Sequence, residues 1–134
     1  MIESAAVNFA LCILIWLVQL VIYPSFAVIE EAQFRQWHKR YTLRISFIVI
    51  PLMLSQVVLL GRLIYQNSFN AVSLIQGLLI FSAWVVTYTL SVPCHKKLSK
   101  KKDTSQIKRL IASNWLRTVA WTTTSILDLI NLAY

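Results

Sequence analysis

The chain has 134 residues, of which 57% are hydrophobic and 13% charged, with a formal net charge of +8. A single water-soluble core of this size cannot hide so much apolar surface, so the composition excludes an ordinary soluble domain. The apolar residues are also gathered into long blocks, which predicts one all-α domain: an integral membrane four-helix bundle.

The first block carries no formal charge between Glu3 and Glu30, and its strongest part predicts a spanning helix over 5–23. Glu3 precedes it in place of a basic segment, and it runs into Tyr23-Pro24 instead of a small-residue cleavage site, so it is read as a retained helix and not a cleaved signal. A polar connection containing Trp37-His38-Lys39-Arg40 follows, then a second helix over 45–65 in which Pro51 invites a kink. The third helix is expected over 71–92, in a run uncharged from Arg62 to Lys96. The fourth, over 110–133, is interrupted by Arg117 and Asp128 and is therefore expected to be the most protein-buried.

Basic residues concentrate in the two longer connections: Arg35, Lys39, Arg40 and Arg44 in the first, Lys96, Lys97, Lys100, Lys101, Lys102, Lys108 and Arg109 in the second. The positive-inside bias then places both connections in the cytoplasm and both termini, with the short connection 66–70, outside, in a bacterial inner membrane. The same bias explains the lysine run, so nucleic acid is not the expected partner; membrane lipids are, with a homo-oligomer or a larger membrane complex as further options. Cys12 and Cys94 lie at different depths and are not expected to pair.

Side chains three or four positions apart share a helix face, and polar residues recur at that spacing. Gln19 and Tyr23 on the first helix, Trp84, Tyr88 and His95 on the third, and Asn114, Trp115, Arg117 and Trp121 on the fourth are candidate lining residues of a cytoplasmic-side vestibule. His38, His95 and Arg117 are the candidates for chemistry: a histidine as base, and an intramembrane guanidinium kept for a partner or substrate. Each also has a plain reading, in which Gln19, Asn114 and Arg117 only tie helices together and Trp37 and Tyr41 anchor at the headgroups. Two histidines without HxxxH or ExxH spacing do not make a metal site, and His38 falls in a connection, away from a bis-histidine haem geometry; no metal or cofactor is expected. With only Gly61 and Gly77, both inside predicted helices, no phosphate-binding loop can form. Arg62 and Asp128 share the outer third and are expected to form a structural ion pair.

Trp16, Gln19, Tyr23-Pro24, Phe26, Phe34, Trp37-His38, Tyr41, Arg44-Ile45, Pro51, Met53 and Gln56, followed by Trp84, Thr87, Val92-Pro93, His95, Leu98, Leu110, Asn114-Trp115, Arg117-Thr118 and Trp121, resemble a family of small four-span bacterial membrane proteins of unassigned function. Tyr41 stands where that family commonly has a further histidine, and Gln56 where it commonly has a glutamate, which weakens a metal or acid-base role. More distantly, Val92-Pro93, Leu98 and Asn114 to Arg117 look like anthrone-oxygenase-like membrane proteins, and that resemblance implies cofactor-independent oxidation of an aromatic polyketide. Two functions therefore stand side by side: an accessory or small-molecule- or lipid-binding subunit, and an oxygenase-like enzyme with its aromatic substrate among Trp84, Tyr88, Trp115 and Trp121. A channel or transporter is disfavoured, because the mid-depth positions of the second and third helices are mostly apolar.

Overall fold

In a computed structural model describing residues 2–67 and 70–133, the chain forms four helices and no strand among those residues. They are α1 (Ile2–Val28), α2 (Glu31–Asn67), α3 (Ala71–Leu98) and α4 (Thr104–Ala133). The expected connection 66–70 lies partly, and Tyr134 wholly, outside the described residues. By length and composition α1, α2 and α3 can each cross a membrane. The less apolar α4 packs along both α1 and α3 and carries the longest run of buried side chains, from Ile107 to Asp128.

Every helix reaches past at least one of its expected ends, α2 most of all, starting at Glu31 instead of 45, while α3 starts at 71 and α4 ends at 133 as expected. Loss of apolar character marks where lipid ends, not where the helix ends. Arg35, Lys39, Arg40 and Arg44 sit on exposed positions of the same helix that buries Phe34 and His38. The connections at this basic end of the bundle consequently shrink to 29–30 and 99–103, and His38 is helical and buried, a correction to its expected place in a connection. Asp103 starts α4 by accepting hydrogen bonds from the Ser105 and Gln106 backbone N–H groups, and Asn70 starts α3 in a reciprocal capping box with Ser73. Lys102 closes the other side of the turn: its ammonium donates to the Ala27 carbonyl at 2.9 Å and to that of Ile29, at the end of α1, and lies 5.8 Å from the centre of the Phe34 ring.

Two helices change register at matching places. In α1 the segment Val18–Ile22, and in α3 the segment Thr87–Ser91, form π turns, each ending two residues before a proline, Pro24 and Pro93. The backbone N–H groups of Tyr23 and Val92 reach five residues back, to the Val18 and Thr87 carbonyls. A proline ring crowds the carbonyl four residues before it and offers no N–H, and a wider turn absorbs both defects. The consequence is seen in the buried stripes. In α1 the adjacent Val18 and Gln19 both turn inward, followed by Tyr23 and Phe26; in α3 the step from Val86 to Ser91 is five residues long. Pro51, by contrast, is accommodated inside a continuous α2.

Small and hydroxylated residues let α4 approach its neighbours, and the hydroxyls of Thr118, Thr122, Thr124 and Ser125 donate to carbonyls four residues back, so none is left bare in an apolar bundle. Away from the basic end, each helix contributes one side chain to a buried polar layer. Gln56 of α2 donates to Asn8 of α1 at 2.6 Å, and Asn8 and Gln76 of α3 both donate to the Asp128 carboxylate of α4. Arg62 takes no part: it pairs with Glu3 at 3.1 Å, both side chains well exposed. The expected Arg62–Asp128 pair is therefore replaced by two separate contacts. Asp128 faces the bundle and Arg62 faces out, and amide N–H groups supply what the guanidinium was expected to supply.

Candidate functional site

The α2 helix is fastened to the bundle near both ends, by Phe34 and His38 and again by Met53 and Gln56, while no side chain between His38 and Met53 is buried. Where it stands off from its neighbours a cavity of about 650 Å³ opens. That is within the roughly 300–1,000 Å³ usual for small-molecule sites. One wall is apolar, from Ile45, Val49, Ile50, Met53 and Leu54 of α2 with Leu14, Ile15 and Val18 of α1. Tyr88 and Val92 of α3 and Ile50 and Leu54 of α2 line the cavity and are themselves exposed on the side of the bundle, so the cavity opens there, with Lys96 and Ser99 at its basic end.

The opposite wall is polar because the π turns rotate their residues onto it. Tyr23 follows the turn in α1, and its hydroxyl lies 3.2 Å from His95 Nε2; His95 Nδ1 lies 3.0 Å from His38 Nε2. Three helices thus share one chain of hydrogen bonds. Around it, Phe26 touches the rings of Tyr23, Phe34, Trp37, His38, Tyr41 and His95, and Phe34 stacks on His38 with ring centres 5.5 Å apart. His38 Nδ1 is buried without a partner. An unpaired buried N–H is costlier than an unpaired acceptor, which favours the tautomers in which His38 Nε2–H donates to His95 and His95 Nε2–H donates to Tyr23. The Tyr23 hydroxyl proton then remains free for the cavity it lines.

Arg117 occupies the middle of α4 with only 6% of its surface exposed. Its Nη1 donates to Ser91, the last residue of the α3 π turn, at 3.2 Å, and its guanidinium lies 5.0 Å from the centre of the Trp121 ring. No carboxylate meets it: among the described residues the only ion pair is Arg62–Glu3. Arg117 Nε, Trp121 Nε1 and Trp84 Nε1 are all buried without an acceptor, and all three residues line the cavity.

The expected vestibule residues divide. Tyr23, Trp84, Tyr88, His95, Arg117 and Trp121 line the cavity, and His38 stands behind His95. Gln19 and Asn114 do not line it; they hydrogen-bond each other at 2.7 Å, and Gln19 also donates to the Ile111 carbonyl, tying α1 to α4. Trp115 is exposed on the far side, edge-on to Trp16 at 5.6 Å, which corrects its expected place beside the substrate. Arg44 is exposed and apart from the cavity.

Sequence reasoning missed Tyr41, read there as a headgroup anchor: it is half-buried in the cavity wall and stacked on Trp37. Its position three residues after His38 on one helix was the available signal. Among the described residues no three His, Cys, Asp or Glu side chains gather as metal ligands; Cys94 and Cys12 are both free thiols. No family model, characterised protein or solved structure matches the chain.

Proposed function

We propose that the protein binds a lipophilic small molecule or lipid drawn sideways from the bilayer into the cavity between α2 and α3, as an accessory or carrier subunit without catalysis of its own. The observation that carries this reading is the detachment of α2 between His38 and Met53, which leaves a lipid-facing entrance to a space lined by Trp84, Arg117 and Trp121, residues whose buried N–H groups have no partner. The basic end faces the cytoplasm of a bacterial inner membrane in this reading, with Lys96 at that end of the cavity to attract an anionic group.

The test is chemical. Protein purified in mild detergent is extracted with organic solvent and its lipophilic content is compared with that of Val49→Trp, which fills the cavity from its apolar wall. A compound retained in about one-to-one amount by the natural protein and lost from the variant is expected; equal content in both would remove the proposal.

A second reading is favoured by one observation, that His95 reaches the cavity while hydrogen-bonded to Tyr23 and backed by His38. In it the protein is an oxygenase-like enzyme: in the other tautomer, with His95 Nδ1–H donating to His38 Nε2, His95 Nε2 takes a proton from an aromatic substrate and Arg117 stabilises the oxyanion that develops. The resemblance to anthrone-oxygenase-like proteins agrees with it. Oxygen uptake with a hydroxylated anthrone, abolished in His95→Gln while binding survives, is the expected behaviour; no uptake above buffer would rule it out.

A further inference from the structure

The charge balance of the cavity says what kind of molecule it takes. The Arg117 guanidinium is buried near the middle of α4, and has the Ser91 and Tyr23 hydroxyls and an aromatic face as its neighbours where a carboxylate would be needed to neutralise it. Of the chain's five acidic residues, Glu3, Glu30, Glu31 and Asp103 are exposed, and Asp128 is held by Asn8 and Gln76 in the polar layer. An isolated guanidinium in hydrocarbon surroundings is strongly disfavoured, so the site is electrically incomplete. The hydrogen-bond balance points the same way. Arg117 Nε, Trp84 Nε1 and Trp121 Nε1 are donors that cannot accept, and the tautomers favoured for the histidine chain leave the Tyr23 hydroxyl as a further donor.

Resting on the lipophilic-binding reading above, we infer that the occupant is a lipophilic carboxylate, its two oxygens on Arg117 and the neighbouring donors and its apolar body along Ile45, Val49, Ile50 and Met53. A carboxylate is favoured over a phospholipid headgroup for two reasons. Its two in-plane oxygens suit the free Nε edge of a guanidinium whose Nη1 is already committed to Ser91. Arg117 also lies two turns or more deeper along α4 than Lys108 and Arg109, and a glycerol phosphate cannot descend there without drawing its own polar bulk into hydrocarbon. Lys96 at the basic end of the cavity adds long-range attraction for an anion.

The experiment uses the full chain in maltoside micelles and follows quenching of tryptophan fluorescence by brominated ligands, since Trp84 and Trp121 line the site. Dibromostearic acid is expected to quench saturably at low mole fraction, and its methyl ester to bind about tenfold or more weakly, having lost a charge-assisted contact. In Arg117→Gln the acid should fall to the affinity of the ester; the acid-to-ester comparison in the natural protein stands even if that variant does not fold. Equal, saturable binding of acid and ester would overturn the carboxylate and leave the cavity reading intact. A brominated phosphatidylglycerol binding as tightly as the acid would also overturn it, in favour of a phospholipid. No saturable quenching by any of the three would remove both readings together.

Discussion

Gln76 of α3 donates a hydrogen bond to the Asp128 carboxylate of α4 at 2.8 Å, inside a layer to which Asn8 and Gln56 bring the other two helices. The layer fixes the depth at which all four helices meet, because sliding one of them strands a buried amide or the carboxylate. Asp128→Ala is expected to destabilise the protein by about 1–3 kcal/mol, the usual penalty for leaving buried donors unpaired. Thermal unfolding in detergent should show Asp128→Ala and Asn8→Ala to be strongly non-additive and Asp128→Ala and Arg62→Ala additive. Coupling between Arg62 and Asp128 would contradict the structure. Arg62→Ala alone should change stability by about 0–1 kcal/mol, as for an exposed ion pair.

The His38–His95 contact joins α2 to α3 at the basic end, beside the region where α2 stands free. A double-mutant cycle with His38→Ala and His95→Ala should give a coupling of about 1 kcal/mol. Tyr23→Phe keeps the ring packing against Phe26 and should lose the hydroxyl contacts to His95 and Arg117, about 1 kcal/mol for the hydrogen bond to His95. Additivity across the histidine pair would mean the two rings do not meet.

Lys102 acts as a detached cap for α1, meeting two carbonyls that the helix itself leaves unpaired. Lys102→Met retains the aliphatic stem and removes the donor, and a loss of about 1 kcal/mol is expected in the same unfolding assay. A neutral substitution at the adjacent, exposed Lys101 is the control and should be silent.

Asp103 supplies a pH-dependent term in the connection before α4. Hydrogen bonds from the Ser105 hydroxyl and backbone N–H hold its carboxyl below its ordinary value of 3.8. A depressed value in the folded state means that the contribution is fully present above pH 3.8 and is lost as pH falls through the lower, folded-state value. Asp103→Asn keeps a capping side chain without the titration. Its unfolding temperature should therefore fall less than that of the natural protein when pH is lowered through this window. Parallel losses in the two proteins would exclude Asp103 as the source.

Reporter fusions test the proposed orientation. With the basic end in the cytoplasm, a C-terminal alkaline phosphatase fusion should be active and a C-terminal fluorescent-protein fusion dark. The reverse pattern would invert the proposed topology and move the cavity entrance toward the opposite leaflet.

The sequence by itself determined the class of the protein and the number of its helices. Three of the four follow from uncharged runs long enough to span hydrocarbon, a property of each segment taken alone, and the fourth from an apolar block broken only by Arg117 and Asp128. It also marked α4 as the buried helix, since Arg117 and Asp128 within it need protein around them. Helix ends were not legible, because Arg35 to Arg44 break the apolar run without breaking the helix: solvent, and not backbone hydrogen bonding, changes there. Pairings across helices were not legible either. Arg62 and Asp128 agree in depth, but the direction in which a side chain leaves its helix decides its partner, so Arg62 meets Glu3 at the surface and Asp128 meets amides inside. The π turns before Pro24 and Pro93 shift that direction by one residue, carrying Tyr23 and Ser91 to the cavity wall. Only the packed tertiary structure could bring His38 and His95 together, separate Trp115 from them and leave Arg117 buried without an acid, because each depends on the rotation of one helix against another.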